Sequence, residues 1–257
     1  MFGSLLGKRD QVVLNGDDPR VRAMGEMTAA KSVMFGTDPA FDVWADQVSS
    51  GWPQRFACRV HHGGQSQFAQ TRLVGSHWYC SVLGVPLAEA TAAVTTVEPF
   101  ISRLQPVQLS CSATILRDEK DGAIDTFEKA FEVMREATAV RKVAVIGDCT
   151  DRKGNPTQRF RYLGKQVAAF AGAAIFVGEH SHHAVKAATY YGMSEEHVRS
   201  FSDVRSAAHA LKSLLQPGDL VLLKGRKSQR LVRVFFLQQG SIGCDVIACN
   251  LGGPCDS

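Results

Sequence analysis

The 257-residue sequence predicts an α/β fold in two parts: a β-rich segment over residues 1–102 and a larger domain over residues 103–257 built on a mostly parallel sheet. Three observations carry this. In the second part, short apolar runs such as Lys142–Ile146, Ala173–Val177 and Leu220–Leu223 alternate with helical stretches of about 10–15 residues, the rhythm of βαβ units. In the first part, short runs are punctuated by dense turn signals. Between the two, Pro99 and Pro106 bracket a linker, which places the boundary near residue 103. The hydrophobic content of 45% matches that of globular chains and supports a packed core.

The elements follow in order. Gln11–Leu14 is an apolar run of strand length, stopped by Asn15-Gly16-Asp17-Asp18-Pro19; Pro19 then suits the first turn of a short helix through Arg22 and Met24. Lys31–Phe35 reads as a strand closed by Gly36. Arg55–His61 and Ser66–Val74 flank His62-Gly63-Gly64-Gln65, a hairpin loop. Pro86–Phe100 is a candidate helix, with Leu87, Ala90, Val94 and Val97 at three- and four-residue spacing. In the second part, Val107, Leu109, Cys111, Ala113 and Ile115 alternate as one strand. Helices are expected at 123–139, 157–171, 182–191, 203–215 and 229–238, and a short strand at 197–201.

Composition excludes several classes. The 29 Lys and Arg against 25 Asp and Glu leave a net charge of +4 spread along the chain, unlike the concentrated basic patch of a dedicated nucleic-acid binder. The longest stretch without a charged residue, Leu73 to Ala88, is shorter than the ~20 apolar residues of a membrane span. Lys8, Arg9 and Asp10 interrupt any signal-peptide core, and the seven cysteines form no C-x-x-C pair; reduced thiols in the cytoplasm are the expectation. Cys244, Cys249 and Cys255 lack zinc-ligand spacing. No metal-ligand set is assigned, Glu179-His180-Ser181-His182-His183 being read as a polar helix start and His61-His62 as solvated loop residues.

Parallel sheets bind ligands outside the carboxyl ends of their strands. That rule selects Asp148, Gly178 and Lys224, each just past a predicted strand, as substrate-binding candidates. The second part is Rossmann-like in pattern, yet the dinucleotide fingerprint G-x-G-x-x-G is absent, since Gly147 has no glycine two residues on. The phosphate-binding motif G-x-x-x-x-G-K-[ST] is absent too: Gly3 to Arg9 has the wrong glycine spacing, with Arg9 in place of a hydroxyl. Asn15 to Pro19 admits a purely structural reading, because Asx residues favour turns. Lys224-Gly225-Arg226-Lys227 admits two: a solvated basic turn, or an anion site made by a lysine charge and a following helix N-terminus.

Three segments, in order, resemble the Mur ligases. Val13-Leu-Asn-Gly-Asp-Asp-Pro19 is similar to their V-L-N-x-D-D-P motif, Val143-Ala-Val-Ile-Gly-Asp148 to the strand ending in G-D-M, and Asp219 to Arg226 to their D-x-V-L-x-K-G-S-R segment. The resemblance implies a partial central ATPase-type domain without its P-loop over residues 1–102 and a whole Rossmann-like C-terminal domain over 103–257. It implies ATP-dependent amide-bond formation through an acyl phosphate, with Mg²⁺, between a UDP-muramyl peptide and an amino acid or D-Ala-D-Ala, in peptidoglycan precursor synthesis. On the family's motif positions, Asn15 and Asp18 would line the adenine and ribose side of ATP. His77 resembles the histidine of a G-x-H-N segment, and Asp118 the second aspartate of D-D-x-Y-N-x-N-P. Arg226 stands where the family's serine stands, beside Lys224.

The departures from the pattern shape the functional expectation. Trp78 replaces an asparagine, the domain-linking Gly-Arg falls on Gln108-Leu109, and the aromatic, asparagine and proline after Asp118 are lost. Acyl phosphate formation needs strong charge compensation at the γ-phosphate. A chain with these departures is expected to be inactive in ligation alone, and to act with a P-loop-bearing partner chain or as a homo-oligomer. The alternative is a non-catalytic small-ligand-binding module.

Overall fold

Two sheets organise the chain, each in its own compact unit, one comprising residues 1–50 and 54–98 and the other residues 51–53 and 99–257. The computed structural model describes residues 10–75, 87–150 and 155–240. The Cys244–Cys255 tail and His77 lie outside the described residues.

The first unit holds a five-stranded mixed sheet in the order β1-β2-β3-β4-β5, comprising β1 (Gln11–Asn15), β2 (Lys31–Gly36), β3 (Val43–Ser49), β4 (Ala57–His62) and β5 (Gln65–Gln70). Strands β1, β2 and β3 run parallel, while β3-β4 and β4-β5 pair antiparallel. Helix α1 (Pro19–Met24) makes the crossover from β1 to β2, capped by Asp18, whose Oδ1 accepts the Arg20 N–H at 2.8 Å. The expected hairpin loop His62–Gln65 is present and tighter than read: His62 and Gln65 belong to the strands, and Gly63 and Gly64, at φ 58° and 78°, form a two-residue turn. Helix α2 (Leu87–Thr95) is present, shorter than its apolar spacing predicts, and Val43, Ala45, Phe56, Cys58, Val60, Ala69 and Leu87 form the core. Strand β3 is absent from the sequence reading. Asp46 and Gln47 interrupt its alternation, and the register shifts between Asp46 and Ser49 with Gln47 at φ 49°.

The second unit is a six-stranded sheet in the order β10-β9-β8-β11-β7-β6. Its strands are β6 (Gln105–Gln108), β7 (Thr114–Asp118), β8 (Arg141–Ile146), β9 (Ala173–Val177), β10 (Val198–Phe201) and β11 (Asp219–Lys224). All are parallel to their neighbours except the edge strand β6. Here the reading needs one correction: the single strand over 107–115 is a hairpin. Leu109 N–H bonds the Ala113 carbonyl at 2.8 Å, Ser112 takes φ 63°, and Cys111 is exposed at the turn. Alternation persisted because Leu109 and Ala113 are both buried on either side of that turn.

Five helices sandwich this sheet: α3 (Ile124–Glu136), α4 (Pro156–Ala168), α5 (His182–Tyr190), α6 (Val204–Leu214) and α7 (Val232–Gln239). Side chains alternate along the strands. Ile115, Val143, Val145, Ile175, Val221 and Leu223 bury against Ala207, Leu211, Val234 and Phe235 of α6 and α7. The opposite residues, Leu116, Ala144, Ile146, Phe176 and Leu222, are also fully buried, as are Phe127, Phe131, Phe160 and Leu163 of α3 and α4. Asn155 and Asp203 cap α4 and α6, accepting the N–H of Gln158 at 3.0 Å and Ser206 at 2.8 Å. At the amino ends of the central strands β8 and β11, Arg141 makes a two-point ion pair with the buried Asp219, at 2.9 and 2.6 Å.

Helices α4 and α5 approach closely at Gly164, where a Cβ would lie 2.2 Å from the Ala184 carbonyl oxygen. The obstacle is backbone and cannot swing aside. Gly164→Val is therefore expected to destabilise the domain by about 1–3 kcal/mol; urea denaturation followed by circular dichroism checks this, and an unchanged midpoint would contradict the packing.

Candidate functional site

The second sheet has a topological switch point between β8 and β11. The chain leaves β8 into α4 and β11 into α7, whose partners α5 and α6 lie with them on opposite faces. Diverging connections open a crevice at the carboxyl ends of these two central strands. The crevice residues are Gly147 and Asp148 after β8, Gly178 after β9, Gly225 and Arg226 after β11, and the loop Glu119–Gly122 after β7. The strand ends are locked at contact distance: Gly147 N–H bonds the Lys224 carbonyl at 2.8 Å, and Thr150 N–H bonds the Gly122 carbonyl at 2.8 Å.

Asp148 is buried and held by the Arg159 guanidinium of α4 at 2.9 and 2.6 Å, one nitrogen to each carboxylate oxygen. Its backbone N–H donates to Gln229 Oε1 at 2.8 Å, while Gln229 Nε2 donates to the Val177 carbonyl at 3.3 Å. Gln229 therefore ties the ends of β8 and β9 from the loop after β11. This explains Gly147, where a Cβ would stand 2.3 Å from Gln229 Oε1. Gly178 sits at φ 137°, a conformation that L side chains rarely adopt, and its N–H bonds the Phe201 carbonyl at 2.8 Å.

Lys224 is fully buried. Its Nζ donates to Asp118 Oδ2 at 2.9 Å, the Asp121 carbonyl at 2.8 Å and Thr126 Oγ1 at 2.9 Å, and lies 4.9 Å from the Phe127 ring centroid. All three ammonium donors are thus consumed within the fold. This corrects the expectation that Lys224 offers its charge to a ligand; it positions the loop after β7. The same holds for Asp118, read from the sequence as a nucleotide contact: its carboxylate also accepts the Leu104 N–H at 3.2 Å. Burial pushes the Asp118 carboxyl up to about 6, against the opposing pull of the Lys224 cation, and burial likewise lowers Lys224.

Arg226 differs. It is half-buried, and its Nε is buried without a hydrogen-bond partner. Its Cβ packs so close to Gly122 that a Cβ there would lie 2.6 Å away, which fixes the residue at the junction of the β7, β8 and β11 loops. Of the four substrate candidates, Asp148, Gly178 and Arg226 lie just past strand ends, Asp148 with its carboxylate paired to Arg159, and Lys224 is sealed inside the fold.

A groove of ≈ 460 Å³ beside the end of β7 was missed by sequence reasoning. There Arg117 binds Glu119 Oε1 through Nε and Nη2 at 3.0 and 2.5 Å, and Ser102 Oγ through Nη2 at 2.9 Å. Arg117 is buried near the end of β7, between Leu116 and Asp118 and opposite Gln105 of β6, a placement with no sequence signature. Gln229 likewise gave no signal.

In the first unit, Asn15 Oδ1 accepts the Asp17 N–H at 3.0 Å and Asp18 caps α1. Both acceptors are engaged by the turn itself. Among the described residues, no group of three or more His, Cys, Asp or Glu is placed to hold a metal ion.

Two measurements check this geometry. The Asp118 carboxyl carbon is expected to titrate near pH 6 by NMR; a midpoint below 4 would contradict its burial. Because the folded value lies above the ordinary 3.8, the folded state holds a proton that the unfolded chain has lost between those values, and this group's contribution to stability falls as pH rises through that window. Lys224→Ala leaves a buried carboxylate unpaired and is expected to cost about 3–5 kcal/mol in urea denaturation, whereas Lys224→Met with Asp118→Leu recovers most of it.

Residues 102–227 match the family model described as Mur ligase, glutamate ligase domain. UDP-N-acetylmuramoyl-tripeptide–D-alanyl-D-alanine ligases of Mycobacterium bovis and Mycobacterium tuberculosis are 26% identical over 86% of this chain and 49% of theirs. The chain thus spans about half the length of the curated relatives it matches. Among solved structures, MurF from Acinetobacter baumannii aligns with a TM-score of 0.76 at 18% identity, covering 89% of this chain and 51% of that one. MurF ligase from Thermotoga maritima in complex with ADP aligns with a TM-score of 0.65 at 14% identity, covering 89% and 52%. No helix among the described residues is long and apolar enough to cross a membrane. Through residues 102–227 the chain resembles the Mur ligases, in the part their family model describes as the glutamate ligase domain.

Proposed function

We propose that this chain supplies the acceptor-binding part of a cytoplasmic, ATP-dependent ligase of peptidoglycan precursor synthesis, the type that joins a UDP-muramyl peptide to D-Ala-D-Ala. Residues 103–257 are the Mur ligase C-terminal domain, and residues 1–102 the remainder of a central domain that lacks its phosphate-binding loop. The observation that carries the reading is Arg226: a cation with an unpartnered buried nitrogen at the strand-end junction of the domain that matches the Mur ligase model. In this reading Arg226 meets the carboxylate of the incoming dipeptide, the Asp148–Arg159 pair orders the crevice floor, and Gly178 lets the ligand approach the backbone.

Ligation itself is assigned to the chain only together with a P-loop-bearing partner. ATP transfer chemistry concentrates negative charge that the sequence does not compensate: it has no G-x-x-x-x-G-K-[ST] motif. Asn15 and Asp18, the adenine- and ribose-side positions by resemblance, remain candidates for a weak nucleotide contact through groups their turn does not use. His77 keeps its family-derived assignment as a proposal.

A second reading, a ligand-binding module without catalysis, is favoured by a specific observation: Lys224, Asp118, Asn15 and Asp18 all spend hydrogen-bonding groups on the fold.

Calorimetric titration of the purified chain separates these readings. D-Ala-D-Ala is expected to bind, and Arg226→Ala to weaken it about tenfold, the loss of one charge-assisted hydrogen bond. Unchanged affinity would remove Arg226 from the site, and no binding by the unaltered chain would overturn the acceptor assignment. Mg²⁺-ATP with both substrates is expected to give no amide product until a P-loop-bearing half is added; product from the chain alone would refute the split assignment.

A further inference from the structure

The outer face of α4 and α5 bears a feature that the ligase reading does not use. A shallow groove of ≈ 600 Å³ runs between the two helices, and its lining includes Arg161, Tyr162, Lys165, Lys186, Tyr190 and Tyr191. Residues 155–192 contain four Lys and Arg and one carboxylate, Glu179, whereas the whole chain is nearly balanced at 29 against 25. Arg159 is committed to Asp148, but Arg161, Lys165 and Lys186 form no ion pair with described residues. Glu128 of α3, which accepts the Tyr162 hydroxyl at 2.7 Å, is the carboxylate that reaches the lining. Two large aromatic rings stand in solvent beside these cations, Tyr190 at 82% and Tyr191 at 49% exposure.

We propose that this groove docks an acidic segment of a partner protein. Tyrosine and arginine are the side chains that anchor protein interfaces, because each combines contact area with a polar end. Three cations along two parallel helices give an elongated positive strip, to which a carboxylate-bearing segment is complementary. The chemistry argues against the two other anionic partners. A membrane surface calls for apolar side chains that enter the acyl boundary; here the apolar residues Phe160, Leu163, Val167, Ala184 and Ala188 face inward and are buried. Single-stranded nucleic acid calls for open ring faces on which bases stack. Here the Tyr191 face is taken by the Lys165 ammonium, 5.1 Å from its centroid, and the two rings pack at 86°, so they form no continuous stacking platform. The strip also runs down helices that start at the crevice end of the sheet, so a docked segment would leave the acceptor crevice open.

Fluorescence anisotropy with the full chain tests this, using a fluorescein-labelled twelve-residue peptide of Glu, Asp and Leu. The peptide is expected to bind at 50 mM salt, and Lys165→Glu with Lys186→Glu to weaken it about tenfold or more. Tyr190→Ala is expected to weaken it a few-fold without altering charge, which keeps the test decisive if the double reversal fails to fold. Lys212→Glu, on exposed α6, is expected to change nothing. Failure of the peptide to bind, equal weakening by Lys212→Glu, or tighter binding of oligothymidylate or of phosphatidylglycerol vesicles than of the peptide would each overturn the proposal.

Discussion

A buried ammonium group organises the functional end of this molecule. Lys224 closes the central strand β11, and its register partners are Asp118 on β7 and Ile146 on β8. Sealed from solvent, the charge is tolerable only with full compensation, which Asp118, Asp121 and Thr126 provide. That compensation fixes the loop after β7 and the first turn of α3. The fixed loop then receives the Thr150 N–H and packs against Arg226, so all three central strand ends share one set of constraints. The crevice is thus preorganised by a charge that never faces it.

The rest of the architecture follows from the divergence of β8 and β11. Because one strand feeds α4 and the other α7, no helix covers the space between their carboxyl ends, and a side chain has to bridge it. Gln229 does so with two hydrogen bonds, and Gly147 gives it room. Arg159 reaches in from α4 to neutralise Asp148. What remains available to a ligand is a crevice with a half-buried cation, paired charge at the base and a glycine-lined approach, chemistry suited to a small zwitterion or carboxylate.

Much of this was legible in the sequence. The strand-end rule named Asp148, Gly178 and Lys224, the resemblance added Arg226, and the sequence reading placed all five described α-helices of the second unit. The failures have physical causes. A sequence does not display which cation is spent on the fold: Lys224 and Arg226 are two residues apart, one sealed and one not, because strand alternation ends between them. The β6–β7 turn was hidden because buried residues resume their alternation across it, and β3 because a bulge breaks its period. Arg161, Lys165 and Lys186 form no charge run; only the close packing of α4 on α5 through Gly164 gathers them. Family resemblance supplied the expected activity, while the structure showed which matched residues are spent on the fold.

The central claim is that the carboxyl-end crevice of the second unit receives the acceptor. Backbone amide shift mapping during titration with D-Ala-D-Ala tests it most directly. The account predicts perturbations concentrated at Gly147 to Thr150, Gly178 and Gly225 to Arg226, with those of α6 and β6 unmoved. Saturable perturbations confined to other surfaces, with these loops silent, would contradict it.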